Sequence, residues 1–328
     1  MLHRAADRRG GRGRDHRLHR LRSRRPLPVD RRVPLVSGGD AAADARRRVL
    51  AGIGLAVAAS ASFAVLDSTV KFLSQTYPSP LVAWGRYAFH VALMAVLLVP
   101  QRGFSLLATR RPGLQVARGV FLGMSSITFF GALASMPQAE ATALIATSPI
   151  LVTVVAVRWL GERAPRGTWL ALATSFAGVL LIIRPGSALF GPAALLPLLA
   201  AVFATGYTLL TRRLAGVDDG VSTLFIGGLV ATVLLSGLVP VYWTPPQAWW
   251  HVLLLVFAGL VGAGGHLLLV RAYERANAST LAPYTYMHTV AALCTGWLVF
   301  GTFPDGPALA GMALIVATGV AMALSRRG

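Results

Sequence analysis

The chain has one cysteine, Cys294, in 328 residues. That excludes an internal disulfide framework and a cysteine metal cluster. Cys294 lies in an apolar run, where a thiol packs as a small hydrophobe. Charge is also scarce: 13% of residues are charged, whereas 55% are hydrophobic. Soluble domains carry about 25% charged residues, and a soluble body this apolar would expose far too much greasy surface. A multi-span membrane protein follows. No phosphate loop, nucleophile elbow or His-Glu metal spacing is present. The residues therefore predict no enzyme, no cofactor and no metal, and the missing ATP-binding motif argues against a primary pump in this chain.

The charge that is present is uneven. The net charge is +19, and residues 1–48 hold 15 Arg and 5 Asp of it. That stretch has no apolar periodicity and no apolar core behind its charges, so it is neither a folded domain nor a signal peptide. It reads as a disordered cytoplasmic tail. An untranslated segment ahead of a start near Val33, Val36 or Val49 is the alternative. A nucleic-acid arm has no fold or aromatic platform to support it, and no nucleic-acid partner is expected.

From Val49 on, apolar runs of about 20 residues follow, each able to span a hydrocarbon core of about 30 Å. They lie at 49–70, 80–99, 114–134, 138–157, 167–184, 190–210, 222–242, 250–270, 278–299 and 307–324. With the N-terminus inside, the inner linkers and C-terminus carry Arg102, Arg110, Arg111, Arg118, Arg158, Arg163, Arg166, Arg212, Arg213, Arg271, Arg275, Arg326 and Arg327. The outer linkers carry only Arg184, together with the aromatics Tyr77, Tyr242, Trp243, Trp249 and Trp250. Positive charge of this bias stays cytoplasmic. The expectation is a multi-pass protein of the cell's inner membrane with both termini in the cytoplasm.

The ten runs repeat. Residues 132–183 and 272–324 share one pattern: a small-residue turn, an apolar run, a glycine turn (Gly161, Gly301) and a second apolar run. Five helices per copy is an odd number, so the copies must sit in opposite orientation, as in transporters with a midplane site between halves. The predicted fold class is an all-α integral membrane protein of ten transmembrane helices in two inverted five-helix repeats, 49–184 and 190–325. Gly119-x-x-x-Gly123 offers close helix packing.

Several motifs resemble the drug/metabolite transporter superfamily in its ten-helix form with two EamA repeats. They are Asp67 with Lys71, Tyr77-Pro78 and Arg86; Ser148-Pro149 followed by Leu160-Gly161-Glu162-Arg163; Leu210-Thr211-Arg212-Arg213-Leu214; Leu281-Ala282-Pro283-Tyr284 with Tyr286; and Phe300-Gly301 with Pro304-Asp305. Thr302 stands where many relatives have Glu, so an outer-turn role for that acid is in doubt here. The resemblance implies export or exchange of small organic molecules. A membrane interaction or regulatory protein that keeps the fold without transporting is the alternative.

An ionisable residue inside a span costs about 2.5–3.5 kcal/mol on insertion scales, so each needs a reason. His90 and His288 lie midway along the second and ninth runs. Each is either a neutral, backbone-bonded histidine or a substrate or proton site. Arg86, one turn from His90, either holds an anionic group or braces the halves. Tyr207, Tyr284 and Tyr286 either stack on a planar substrate or pack. Asp67 and Lys71 are spaced to pair with one another near the outer end of the first run, as a solvated pair or a gate. Glu140 is expected to be an exposed acid at the start of the fourth run, favoured by the helix dipole. Ser148-Pro149 should loosen that run by removing a backbone bond. In an inverted repeat Ser148 is the counterpart of His288. Expected partners are the lipid bilayer, a small-molecule substrate and protons as coupling ion, with a homodimer left open.

Overall fold

The computed structural model describes residues 38–159, 167–183, 194–214, 216–276, 281, 284 and 286–325. The chain divides into two compact units, Met1–Asp44 and Ala45–Gly328. The apolar runs become helices because a backbone in hydrocarbon must satisfy its own hydrogen bonds. They are α1 (Gly38–Leu73), α2 (Ser79–Arg102), α3 (Pro112–Ser135), α4 (Gln138–Ile145), α5 (Ser148–Trp159), α6 (Gly167–Ile183), α7 (Leu195–Leu214), α8 (Gly220–Ser236), α9 (Val239–Tyr242), α10 (Trp249–Tyr273), α11 (Met287–Phe300) and α12 (Gly306–Ser325). No strand occurs among the described residues. The protein is all-α.

Four of these stretches are long and apolar enough to cross a membrane: 46–73, 79–107, 112–135 and 249–272. Four shorter apolar ones cover 195–211, 220–236, 287–300 and 306–318.

Three expectations change. The first helix begins at Gly38, not at Val49; the four alanines and three arginines between Ala41 and Arg48 are strong helix formers that carry it back past Val49. Residues 1–37 lie outside the described set, as do Arg163, Arg166, Arg184, Arg326 and Arg327. The fourth run is two helices, α4 and α5, parted by a turn at Ala146–Thr147 just ahead of Ser148-Pro149. Arg118, expected in an inner linker, sits in α3 and is 2% exposed.

The packing follows the repeat. In the order of the runs, α2 packs on α8 and α10, α3 on α7 and α8, α4 on α7 and α11, and α6 on α12. Phe63 of α1 meets Gly265 and His266 of α10, and Asp67 of α1 meets His288 of α11. Exchanging each run for the one five places away leaves these pairings unchanged, as a two-fold relation between halves requires.

Small residues set the closest approaches. A Cβ on Gly119 would lie 2.5 Å from Val230 Cβ of α8, so only glycine fits. Gly178 and Gly311 bring α6 and α12 together in the same way: a Cβ on Gly311 would lie 2.6 Å from the Gly178 carbonyl oxygen.

At the end carrying the Arg-rich linkers, Asp218 ties the halves together. Its carboxylate accepts hydrogen bonds from the Arg110 backbone N–H (2.9 Å), the Thr109 hydroxyl (2.5 Å) and Gln115 Nε2 (2.9 Å). The Arg110 N–H above all, then the Thr109 hydroxyl, holds the Asp218 carboxyl below the usual carboxylate range. Beside it, Asp219 caps α8 by accepting from Ser222 N and pairs with Arg102 at 2.9 Å.

Candidate functional site

Three groups of buried ionisable residues stand out among the described residues, apart from the Tyr77–His251 pair. The first joins α1, α3, α4 and α11. His288 Nε2 lies 2.9 Å from Asp67 Oδ2, and Asp67 is 4% exposed. Asp67 therefore pairs across the molecule and not with Lys71 on its own helix, correcting the expectation drawn from their spacing. Lys71 Nζ donates instead to the carbonyls of Leu133 and Met136, at 2.8 Å each. These belong to the last turn and cap of α3, where carbonyls lack helical partners and a cation is favoured. Glu140 adds an electrostatic interaction with Lys71. Glu140 is 5% exposed, so it is a buried acid and not the solvated one expected. It lies in the first turn of α4.

Gln138 binds the same group. Its Nε2 donates to the Ala64 carbonyl (2.9 Å) and to Thr295 Oγ1 (3.1 Å), and its Oε1 accepts from Ser68 Oγ (2.8 Å). Beside this junction a cleft of about 390 Å³ lies between α1, α10 and α11. Its lining, which includes Phe72, Trp250 and Leu254, holds no ionisable side chain.

The second group sits on α2 and α10. Arg86 and His90 are both buried, one turn apart as their spacing predicts. The Arg86 guanidinium lies over the Tyr87 ring (4.5 Å) and near the Phe130 ring (5.7 Å). Its one hydrogen bond seen among the described residues is a long contact of 3.4 Å to Ser126 Oγ, and its Nε is buried without a partner. Both ring nitrogens of His90 are likewise buried without partners. The His266 ring lies 6.3 Å from that of His90, and Phe63 stands between His266 (5.0 Å) and His288 (6.1 Å). Gly262 lets α10 reach the guanidinium: a Cβ there would lie 3.0 Å from Arg86 Nε.

His266 was not singled out in the sequence. It lies inside the 250–270 run, so the rule that marked His90 and His288 applies equally to it.

The third group is Arg118 with Tyr207. Arg118 Nε donates to Thr211 Oγ1 (2.8 Å), Nη1 to the Thr223 carbonyl (2.9 Å) and Nη2 to the Tyr207 hydroxyl (2.9 Å). The guanidinium also stacks 4.6 Å from the Tyr207 ring. The ring and hydroxyl of Tyr207 thus serve Arg118, which binds α3 to α7 and α8.

The other two tyrosines lie along the ninth run. Tyr286 is buried and precedes the first turn of α11. Tyr284 is partly buried against Ala56, Ala272, Ala276 and Leu281, and its carbonyl accepts from Ser60 Oγ at 3.4 Å. His288 sits in the first turn of α11, as Ser148 does in α5, so the two counterparts occupy the same place in the two halves. Tyr77, expected at an exposed interface, is buried: its hydroxyl meets His251 Nδ1 at 2.6 Å and accepts from Gln247 N at 2.8 Å.

Comparison with known proteins adds a family. The EamA-like transporter family matches twice, over residues 50–184 and 191–324. The chain is 32% identical to the pseudopaline exporter of Pseudomonas aeruginosa, over 84% of this chain and 97% of that one. It is 30% identical to a riboflavin transporter of Rhizobium johnstonii, covering 82% and 89% of the two chains. It is 27% identical to an S-adenosylmethionine uptake transporter of Rickettsia conorii, covering 84% and 93%. A solved structure matches with a TM-score of 0.56 at 21% identity, over 86% of this chain and 99% of that one, which speaks for the fold alone.

Proposed function

This chain belongs to the EamA-like transporter family, and from that premise we propose that it is a secondary transporter that exports or exchanges small organic metabolites across the cytoplasmic membrane by alternating access. Its relatives are transporters by name, and they carry different metabolites in both directions. A multi-pass membrane protein of this family is a carrier of small molecules, not an enzyme.

The observation that carries the proposal is the burial of Asp67, Arg86 and His90 where helices of both halves meet, with His266 and Phe63 lying between His90 and the Asp67–His288 pair. Such residues are expensive in a membrane and mark a substrate or ion path. Arg86, His90 and His288 contact the substrate in this reading, and Tyr284 and Tyr286 line its way along the ninth run. Tyr207 acts from the linker side through Arg118. Lys71 and Glu140 hold the closed junction of α1, α3 and α4, and Asp67 couples it to His288.

Protons are the proposed coupling ion. A protonated His288 neutralises buried Asp67, whereas a neutral His288 leaves that carboxylate without a countercharge, so the two protonation states favour different packings of α1 on α11. On the α10 side the Phe63 ring separates His288 from His266.

The test is transport. Vesicles holding the purified chain, loaded with a bacterial metabolite extract, should release at least one metabolite faster than protein-free vesicles. Equal release of every metabolite by both would reject a transport function.

A further inference from the structure

Counting buried charge separates the groups. Asp67 has His288, and Glu140 has Lys71: each acid has a basic partner. Two guanidinium groups remain, Arg86 and Arg118, neither of which has an ion pair among the described residues. Arg118 is satisfied without one, since three neutral acceptors take its nitrogens and an aromatic face covers it. Arg86 is not: it has one long hydroxyl contact, an unpartnered Nε and two aromatic faces. A cation taken from water needs compensation by charge or by well-formed hydrogen bonds. The protein provides this for Arg118 and withholds it from Arg86.

We infer that the substrate carries a carboxylate, and that Arg86 receives it with His90 and His266 as auxiliary donors. This rests on the transporter reading above and names the class of its substrate. The guanidinium is a planar fork that matches a carboxylate in two parallel hydrogen bonds. Each neutral imidazole beside it carries one N–H donor and one acceptor, and both His90 ring nitrogens are still unused.

The charge balance decides between anions. One guanidinium cancels one negative charge. A phosphate monoester carries up to about two at neutral pH, and the second would be uncompensated beside two neutral rings. The flanking rings of Phe63, Tyr87 and Phe130 suit an organic body attached to the carboxylate.

The experiment uses the full chain in lipid nanodiscs and in vesicles. Its probes are the monocarboxylates nicotinate and benzoate, their amides nicotinamide and benzamide, and phenyl phosphate. Binding is read by competition against the metabolite found in the transport test above. The expected result is that at least one acid competes tenfold or more better than its amide and better than phenyl phosphate. Arg86→Gln should remove that preference in protein that still folds, and Arg86→Lys, which keeps the charge without the fork, should retain part of it. Should Arg86→Gln fail to fold, His90→Gln and His266→Gln are each expected to weaken the acid severalfold while sparing the amide.

Three results overturn the inference: equal competition by acid and amide, preference for the phosphate, or an acid preference unchanged in a folded Arg86→Gln. Each leaves the transporter reading standing, because the transported metabolite is already in hand. A chain that moves nothing overturns both.

Discussion

At the residue scale, His288 is the side chain on which the coupling argument turns. It meets Asp67 at 2.9 Å, so its proton decides whether a buried carboxylate is compensated. Glutamine keeps a polar group there but cannot titrate. Transport by the parent protein should depend on pH, and His288→Gln should remove that dependence at normal expression. A variant that keeps the parental profile would move the coupling site to His90 or His266. The burial of His90 was legible in the sequence, because it interrupts an apolar run, whereas His288 is half-buried in the first turn of α11 and not midway along a helix. The partner of Asp67 was not legible. Spacing of i, i+4 says which side chains can meet on one helix, not which of them a neighbouring helix claims. Lys71 was claimed by the open carbonyls at the end of α3, and those exist only once α3 stops at Ser135. Arg118 was misplaced for a related reason: an arginine beside a linker reads as solvated until its acceptors on α7 and α8 are seen.

At the scale of elements, the helices were legible as apolar runs, and their ends less so. Helix α5 starts at Ser148-Pro149, where proline both removes a donor and suits a first turn. Helix α11 starts in the corresponding place without a proline in its first turn; Tyr286 precedes that turn and Pro283 stands three residues further back. Pro283 is the local signal in that run, and its position does not by itself fix the start at Met287. A close helix contact of α3, by contrast, was announced by Gly119 and Gly123, and its partner is α8. Gly119→Val should place a side chain against Val230 and lower the melting temperature of the purified protein, in keeping with overpacking costs of about 1–3 kcal/mol. Adding Val230→Ala should restore most of the loss. Unchanged stability in the single variant, or no rescue in the double, would show that α3 and α8 are not held this closely.

At the scale of the whole molecule, two repeats account for the pairing of the runs and for the shared place of Ser148 and His288. The repetition was visible before any coordinates, whereas the grouping of buried charge needed them. Orientation in the membrane rests on the Arg-rich linkers, which include Arg102, Arg110, Arg111 and Arg158. In a background without Cys294, Pro246→Cys should react with an impermeant thiol reagent added to intact cells, and Gly220→Cys should not. The reverse pattern would invert the protein.

Alternation of the two halves is the central claim, and counterflow tests it most directly. Vesicles containing the purified chain are filled with unlabelled transported metabolite and diluted into a trace of the labelled form. A carrier that must turn over while loaded will accumulate label inside above its outside concentration, transiently, before both pools equilibrate. Alternating access predicts that overshoot, and a substrate-holding Arg86 predicts its loss in a folded Arg86→Gln variant. A monotonic approach to equilibrium without overshoot, or no movement of label at all, would contradict alternating access by this chain.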